Sequence, residues 1–235
     1  MTNCDTDWDP EPRPTPRSSE LREVLGRDRV MAILRYREGG DVSAAIGALA
    51  DGGIRVLEVT VDTPGSWDAI ERAAATRPQL VVGAGTVTDP RQVRRLAAIG
   101  GRFVVSPGFD RDVAAAALDA GLEPLPGVMT GTEVLAARKA GAQFFKLFPA
   151  GALGERYLKE LRGPFGGESF VPTGGVSVAR IQDWLNAGAF AVALGGELAG
   201  RTAPGAHDEA AAMAAVEAMT QRARAALRAA GGAVA

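Results

Sequence analysis

Cysteine and histidine occur once each in this 235-residue chain, as Cys4 and His207. One thiol cannot close a disulfide within the chain, and one thiol with one imidazole is too few for a zinc site of three or four nitrogen and sulfur ligands. Lysine is almost as scarce, since among 26 basic residues only Lys139, Lys146 and Lys159 are lysine. Neither sign of charge prevails: the net charge of −2 leaves no electrostatic footprint for nucleic acid or an anionic membrane. No apolar run approaches the roughly 18 residues of a membrane span. The opening "MTNCDTDWDPEPRPTPRSSE" combines acids and prolines without an apolar stretch, which argues against a secretory signal and for a flexible polar tail. These absences lead to the expectation of a cytoplasmic protein acting on a small molecule, with a tail over 1–20 and one domain over 21–235.

What is present is a regular beat. Eight β-rich runs stand at 29–34, 55–60, 80–86, 102–107, 122–127, 143–149, 169–175 and 190–196. Helical stretches at 41–51, 66–76, 90–99, 110–120, 131–140, 154–162 and 177–187 separate them, and an Ala/Arg/Glu-rich helix from about His207 to Ala230 follows. Aspartate, serine or threonine near several helix starts and glycine after several ends mark the boundaries. Alternation of this kind predicts an α/β fold with a parallel sheet, and the count of eight suggests closure into a (βα)8 TIM barrel. A doubly wound open sheet is the other possibility. The "GAG" at 83–85 lacks the third glycine of a dinucleotide fingerprint and reads better as a tight strand end.

In a barrel, functional side chains point inward near the C-terminal strand ends. Strand alternation places Val56, Glu58 and Thr60 on one face, Phe144, Lys146 and Phe148 on another, and Arg35 in line with Met31 and Ile33. Lys146 stands out because "QFFKLF" surrounds it with apolar residues, where an ammonium loses its hydration. Such a lysine is disposed to lose its proton and attack a carbonyl carbon, and a carboxylate such as Glu58 can move the protons that imine chemistry requires. A purely structural Lys146–Glu58 ion pair is the alternative, an expensive way to fill an interior. "VPTGGVS" at 171–177 and "ALGGEL" at 193–198 each end a strand in paired glycines before a helical start. Backbone amides there could cradle a phosphate, although two ordinary glycine turns would read the same way.

The runs "RVLEVT", "GAGTVTDP", "VVSPGFD", "PLPGVMTGTE", "FFKLFPA", "GPF" and "VPTGGVS" together resemble the 2-keto-3-deoxy-6-phosphogluconate (KDPG) aldolases, from about Arg29 to Leu198. The resemblance implies a class I aldolase that forms a Schiff base on Lys146, uses Glu58 as proton carrier and needs neither metal nor organic cofactor. It further implies that Arg35 and Thr86 hold the substrate carboxylate and reacting centre. Pro107, Phe148 and Thr173 would shape the pocket, and Gly174, Gly175, Gly195 and Gly196 would hold phosphate. The implied partners are a 2-keto-3-deoxy sugar acid phosphate and pyruvate, and the implied assembly is a homotrimer. Two positions depart from the pattern: Asp62 stands where some members carry arginine, which sets an acid near the substrate carboxylate, and Gly196 stands where many carry serine. The galactonate-derived epimer and 4-hydroxy-2-oxoglutarate are therefore near alternatives as substrate. A phosphosugar isomerase or epimerase on the same barrel, and a non-catalytic sugar-phosphate binder, are the competing functions.

Overall fold

A computed structural model describes residues 16–205 and 209–231. Cys4, His207 and most of the expected tail lie outside the described residues. The strands are β1 (Val30–Leu34), β2 (Val56–Thr60), β3 (Val81–Gly85), β4 (Phe103–Val105), β5 (Glu123–Leu125), β6 (Gly127–Val128), β7 (Phe144–Leu147), β8 (Ser169–Pro172) and β9 (Val192–Leu194). Before them runs α1 (Pro16–Asp28), and between them lie α2 (Val42–Asp51), α3 (Ser66–Thr76), α4 (Pro90–Ala98), α5 (Arg111–Asp119), α6 (Gly131–Lys139), α7 (Ala150–Leu161) and α8 (Ile181–Asn186). The chain closes with α9 (Gly196–Ala199) and α10 (Glu209–Ala229). Local chemistry accounts for several starts. Asp41 accepts from the Ala44 amide, Asp110 from those of Asp112 and Val113, and Thr130 with Glu133 forms a reciprocal capping pair.

All strand pairs are parallel, in a six-stranded sheet ordered β5-β4-β3-β2-β1-β9 and a three-stranded sheet ordered β6-β7-β8. The fifth run, expected as one strand over 122–127, is divided at Pro126. Proline has no amide proton to donate, so only its carbonyl enters the ladder, accepting from the Lys146 amide at 2.9 Å. At the other margin Thr173 forms a parallel bridge with Ala193, and the Phe190 amide donates to the Phe170 carbonyl at 2.8 Å.

Two apolar clusters divide the interior. The larger lies between strands and helices and includes Leu34, Leu57, Val59, Phe145 and Leu147. The smaller is drawn from every strand except β6, through Met31, Val56, Val81, Phe103, Leu125, Phe144, Val171 and Ala193 among others. Residues alternate between the two clusters along β1, β2 and β7, as a strand buried on both faces requires.

Leu21 and Leu25 of α1 are fully buried in the smaller cluster. The helix begins inside the stretch read as tail and was not expected. Its apolar residues Leu21, Val24 and Leu25 share one face at helical spacing, but charged neighbours dilute the pattern. Burying each leucine contributes about 1.5–3 kcal/mol. Arg22 of α1 donates to Ser169 Oγ at 3.0 Å and lies 4.7 Å from the centre of the Phe144 ring, so α1 covers the N-terminal ends of the strands. Asp28, at the end of α1, receives hydrogen bonds from the Arg55 guanidinium, which ties the helix to the start of β2.

Glu123 is buried beside this plug, and its Oε1 has no hydrogen-bond partner among the described residues. Burial pushes its carboxyl up to about 7, against the lowering effects of the Gln143 amide and the Arg22 charge. An acid whose folded value exceeds its unfolded value binds its proton more tightly when folded. Its contribution to stability is therefore complete below about pH 4.5 and is lost as pH rises through about 7. Asp28 and Glu58, also pushed up by burial, act in the same direction. Glu123→Gln should accordingly flatten the decline of Tm between pH 5 and pH 8, by a stability difference of a few kcal/mol at the alkaline end. Thermal melts of both proteins across that range check it, and parallel curves would exclude Glu123 as a source of the decline.

Candidate active site

Lys146 and Glu58 project from β7 and β2 into the interior near the C-terminal strand ends. Lys146 is 5% exposed, and its Nζ lies 4.0 Å from Oε1 of the fully buried Glu58. Neither carboxylate oxygen of Glu58 has a hydrogen-bond partner among the described residues. Burial holds its carboxyl above the usual range, while the positive charges of Lys146 and Arg35 pull the other way. A carboxyl group that retains its proton more readily than usual, within reach of an amine, is suited to passing that proton to and fro.

The floor around Glu58 is cut to fit it. Gly85 of β3, paired with Thr60, is where the Glu58 side chain comes to lie, and a Cβ there would fall inside the Glu58 carboxylate. Gly83 leaves space in the same way for the Phe103 ring. The "GAG" run closes β3 at Gly85, the strand end expected, and side-chain clearance is the reason for its two glycines.

Arg35 lies just beyond β1, and its Nη2 donates to Thr86 Oγ1. Thr86 has a φ of 59°, a left-handed conformation that costs a β-branched residue about 1–3 kcal/mol and turns its hydroxyl toward the guanidinium. Arg35 Nη1 also lies 3.6 Å from Asp62 Oδ2. The acid expected to oppose the substrate carboxylate is therefore paired with the arginine expected to bind it.

Opposite, the Phe148 ring is 40% exposed, with its centre 5.3 Å from Lys146 Nζ. Gly174 and Gly175 have φ of 84° and 75°, and their carbonyl side is fixed by the Gly151 amide donating to the Gly174 carbonyl at 2.7 Å. Side chains would collide there, at Gly174 with the Phe148 ring and at Gly175 with Gly151. Gly195 and Gly196 form the turn into α9, where a Cβ on Gly196 would meet nothing within 4 Å. Glu197 Oε2 accepts from the Val178 amide at 3.4 Å across the two glycine turns.

Arg35, Glu58, Thr86, Pro107, Lys146, Phe148, Thr173 and the four glycines all line one cavity of about 1090 Å³. Of these, Thr173 spends its hydroxyl on the Val171 carbonyl at 3.1 Å. The rim also contains Arg37, Glu38, Glu197, Arg201 and Thr202, which the sequence did not single out. Glu197 stands in the one-turn α9 and the other four on loops, where neither strand alternation nor helical spacing indicates direction.

A family model for "KDPG and KHG aldolase" matches residues 21–217, where KHG denotes 4-hydroxy-2-oxoglutarate. The 2-dehydro-3-deoxy-phosphogluconate aldolase of Pseudomonas aeruginosa is 39% identical over 170 residues, 72% of this chain and 77% of that protein. The 2-dehydro-3-deoxy-6-phosphogalactonate aldolase of Escherichia coli is 34% identical over 172 residues, 72% of this chain and 83% of that protein. Among solved structures, the KDPG aldolase of Legionella pneumophila, with pyruvate captured as a covalent carbinolamine intermediate, superposes with a TM-score of 0.74. It is 30% identical in sequence, over 87% of this chain and 96% of that one. The matched stretch extends from the plugging helix through every strand and takes in both inward charges, and on that ground the chain belongs to the KDPG and KHG aldolase family and is a lyase.

Proposed function

We propose that this protein is a class I aldolase that cleaves 2-keto-3-deoxy-6-phosphogluconate to pyruvate and glyceraldehyde 3-phosphate through a Schiff base on Lys146. The observation that carries this reading is a buried lysine amine 4.0 Å from a buried carboxyl group that has no hydrogen-bond partner among the described residues. The amine adds to the C2 ketone, and loss of water from the carbinolamine gives an iminium ion. Glu58, directly or through a water, takes the proton of the C4 hydroxyl. The C3–C4 electron pair then passes into the iminium as the aldehyde departs. Return of a proton to C3 of the enamine and hydrolysis of the imine release pyruvate and the free amine. Arg35, held by Thr86, receives the carboxylate, while Pro107, Phe148 and Thr173 bound the reacting centre.

A closed (βα)8 barrel is part of this reading. It is supported by the inner cluster drawn from every strand but β6 and by the Thr173–Ala193 bridge between the sheets. The phosphate would rest against the amides of Gly174, Gly175, Gly195 and Gly196. The family resemblance supports a homotrimer. A cytoplasmic location is part of the proposal; among the described residues no helix is long and apolar enough to cross a membrane.

The substrate is tested by kcat/KM for the gluconate-derived phosphate, its galactonate epimer, 4-hydroxy-2-oxoglutarate and the unphosphorylated analogue. The first should exceed the last by at least an order of magnitude, because binding energy from the phosphate assists the chemical step. Gly196→Asp places a negative charge in the cradle at a position where a Cβ meets nothing within 4 Å. It should reduce that ratio about tenfold or more. Equal losses on both substrates would remove the phosphate from this turn.

A further inference from the structure

Resting on that aldolase reading, we propose that Asp62 is a positioning residue, which steers the Arg35 guanidinium and offsets its charge above Glu58. Asp62 is the second residue beyond β2, and Arg35 the first beyond β1. The two segments are fastened together one residue further along. The Tyr36 amide donates to Thr63 Oγ1 at 3.1 Å, and that hydroxyl also lies 3.0 Å from Thr60 Oγ1. Thr63 is buried, so the fastening is fixed while its neighbours Asp62 and Arg35 stay half-exposed at the rim. Asp62 Oδ2 then lies 3.6 Å from Arg35 Nη1, and Thr86 holds Nη2 from the far side. β1, β2 and β3 are sheet neighbours, so the guanidinium is braced across three adjacent strand ends.

The charges acting on Glu58 come from Lys146 on β7, Arg35 beyond β1 and Asp62 beyond β2, while β3 contributes uncharged glycines, Gly83 by register and Gly85 against the carboxylate. Arg35 and Lys146 favour the carboxylate, whereas burial and, less strongly, Asp62 favour the acid. Removing the negative charge would leave the whole charge of Arg35 acting in two places. A substrate carboxylate would be held more tightly, and Glu58 would give up its proton at lower pH. Asp62 thus gives up some affinity for the carboxylate and helps Glu58 retain a transferable proton.

Two substitutions separate steering from charge. Asp62→Asn keeps an oxygen that can accept from Arg35 and removes the charge, whereas Asp62→Ala removes both. The probe is pyruvate, trapped with borohydride on the full-length protein and read as added mass on the Lys146 peptide across a range of pyruvate concentrations. The half-saturating pyruvate concentration should fall roughly two- to fivefold in Asp62→Asn, the range carried by a partly exposed ion pair. In Asp62→Ala it should lie above the Asn value, because the guanidinium is no longer steered. The limb of the kcat–pH profile governed by Glu58 should move to lower pH in Asp62→Asn and return in Asp62→Glu. A merely structural role would slow turnover and leave that limb in place. Equal half-saturation in the three proteins, or an unmoved limb in Asp62→Asn, would overturn the role of Asp62 while leaving the Lys146 adduct intact. Absence of any adduct in the unaltered protein would overturn the aldolase reading and this inference with it.

Discussion

Lys146→Arg should abolish both aldol cleavage and the borohydride-stable pyruvate adduct, leaving no activity above the uncatalysed background. The expected loss is the largest of any single change because, on the proposed mechanism, it removes the atom that becomes covalently bonded to substrate. Arginine keeps a positive charge and a similar reach, so the electrostatic relation to Glu58 survives in outline. Its guanidinium stays protonated and has no free amine to add to a ketone. Both other lysines stand on helices, Lys139 in α6 and Lys159 in α7, and neither lines the cavity. Mass analysis after reduction can therefore assign the adduct without ambiguity. A persistent adduct in Lys146→Arg, or one found on Lys139 or Lys159, would move the chemistry to another site.

Removal of Glu58, the proposed proton carrier, should be severe but incomplete. Glu58→Gln preserves volume in a site where Gly85 leaves just enough room, so it tests chemistry with little change in shape. Turnover should fall roughly 10²- to 10⁴-fold, the usual range for general acid–base loss. Pyruvate should still be trapped on Lys146, since water can serve the proton transfers of imine formation at a reduced rate. The substitution also removes a group whose ionised form would pair, among the described residues, with Lys146 alone, and the folded state should tolerate it well. Turnover within a fewfold of the unaltered enzyme would assign proton transfer to a different group.

Much of this arrangement is legible in the chain because strands buried on both faces carry their direction in their alternation. Glu58 and Lys146 fall inward by parity with Val56 and Phe144, and the structure places those two apolar residues in the inner cluster. The limits are equally physical. The division at Pro126 depends on which neighbour needs an amide proton, and this is a property of the ladder rather than of the run itself. The helix α7 begins at Ala150, before the expected 154, because a non-helical Gly154 joins two segments across a kink. α1 was missed because its apolar face is narrow and gains meaning only from the open strand ends it covers. Asp62 shows the same limit in electrostatic form. Its charge can be read directly, but its pairing with Arg35 depends on the Thr63 fastening between two loops distant in sequence.

The plug formed by Leu21 and Leu25 stands at the N-terminal ends of the strands, while the residues that line the cavity lie toward or beyond their C-terminal ends. On the proposed mechanism the bond to Lys146 imposes an order on events at that second end. Cleavage of C3–C4 frees the aldehyde while the three-carbon fragment is still held by the lysine, so the aldehyde leaves first and pyruvate last. In the synthetic direction the sequence reverses, and pyruvate must load onto the lysine before the aldehyde can react. One end of the fold is thereby given over to closure, and the other keeps the kinetic calendar.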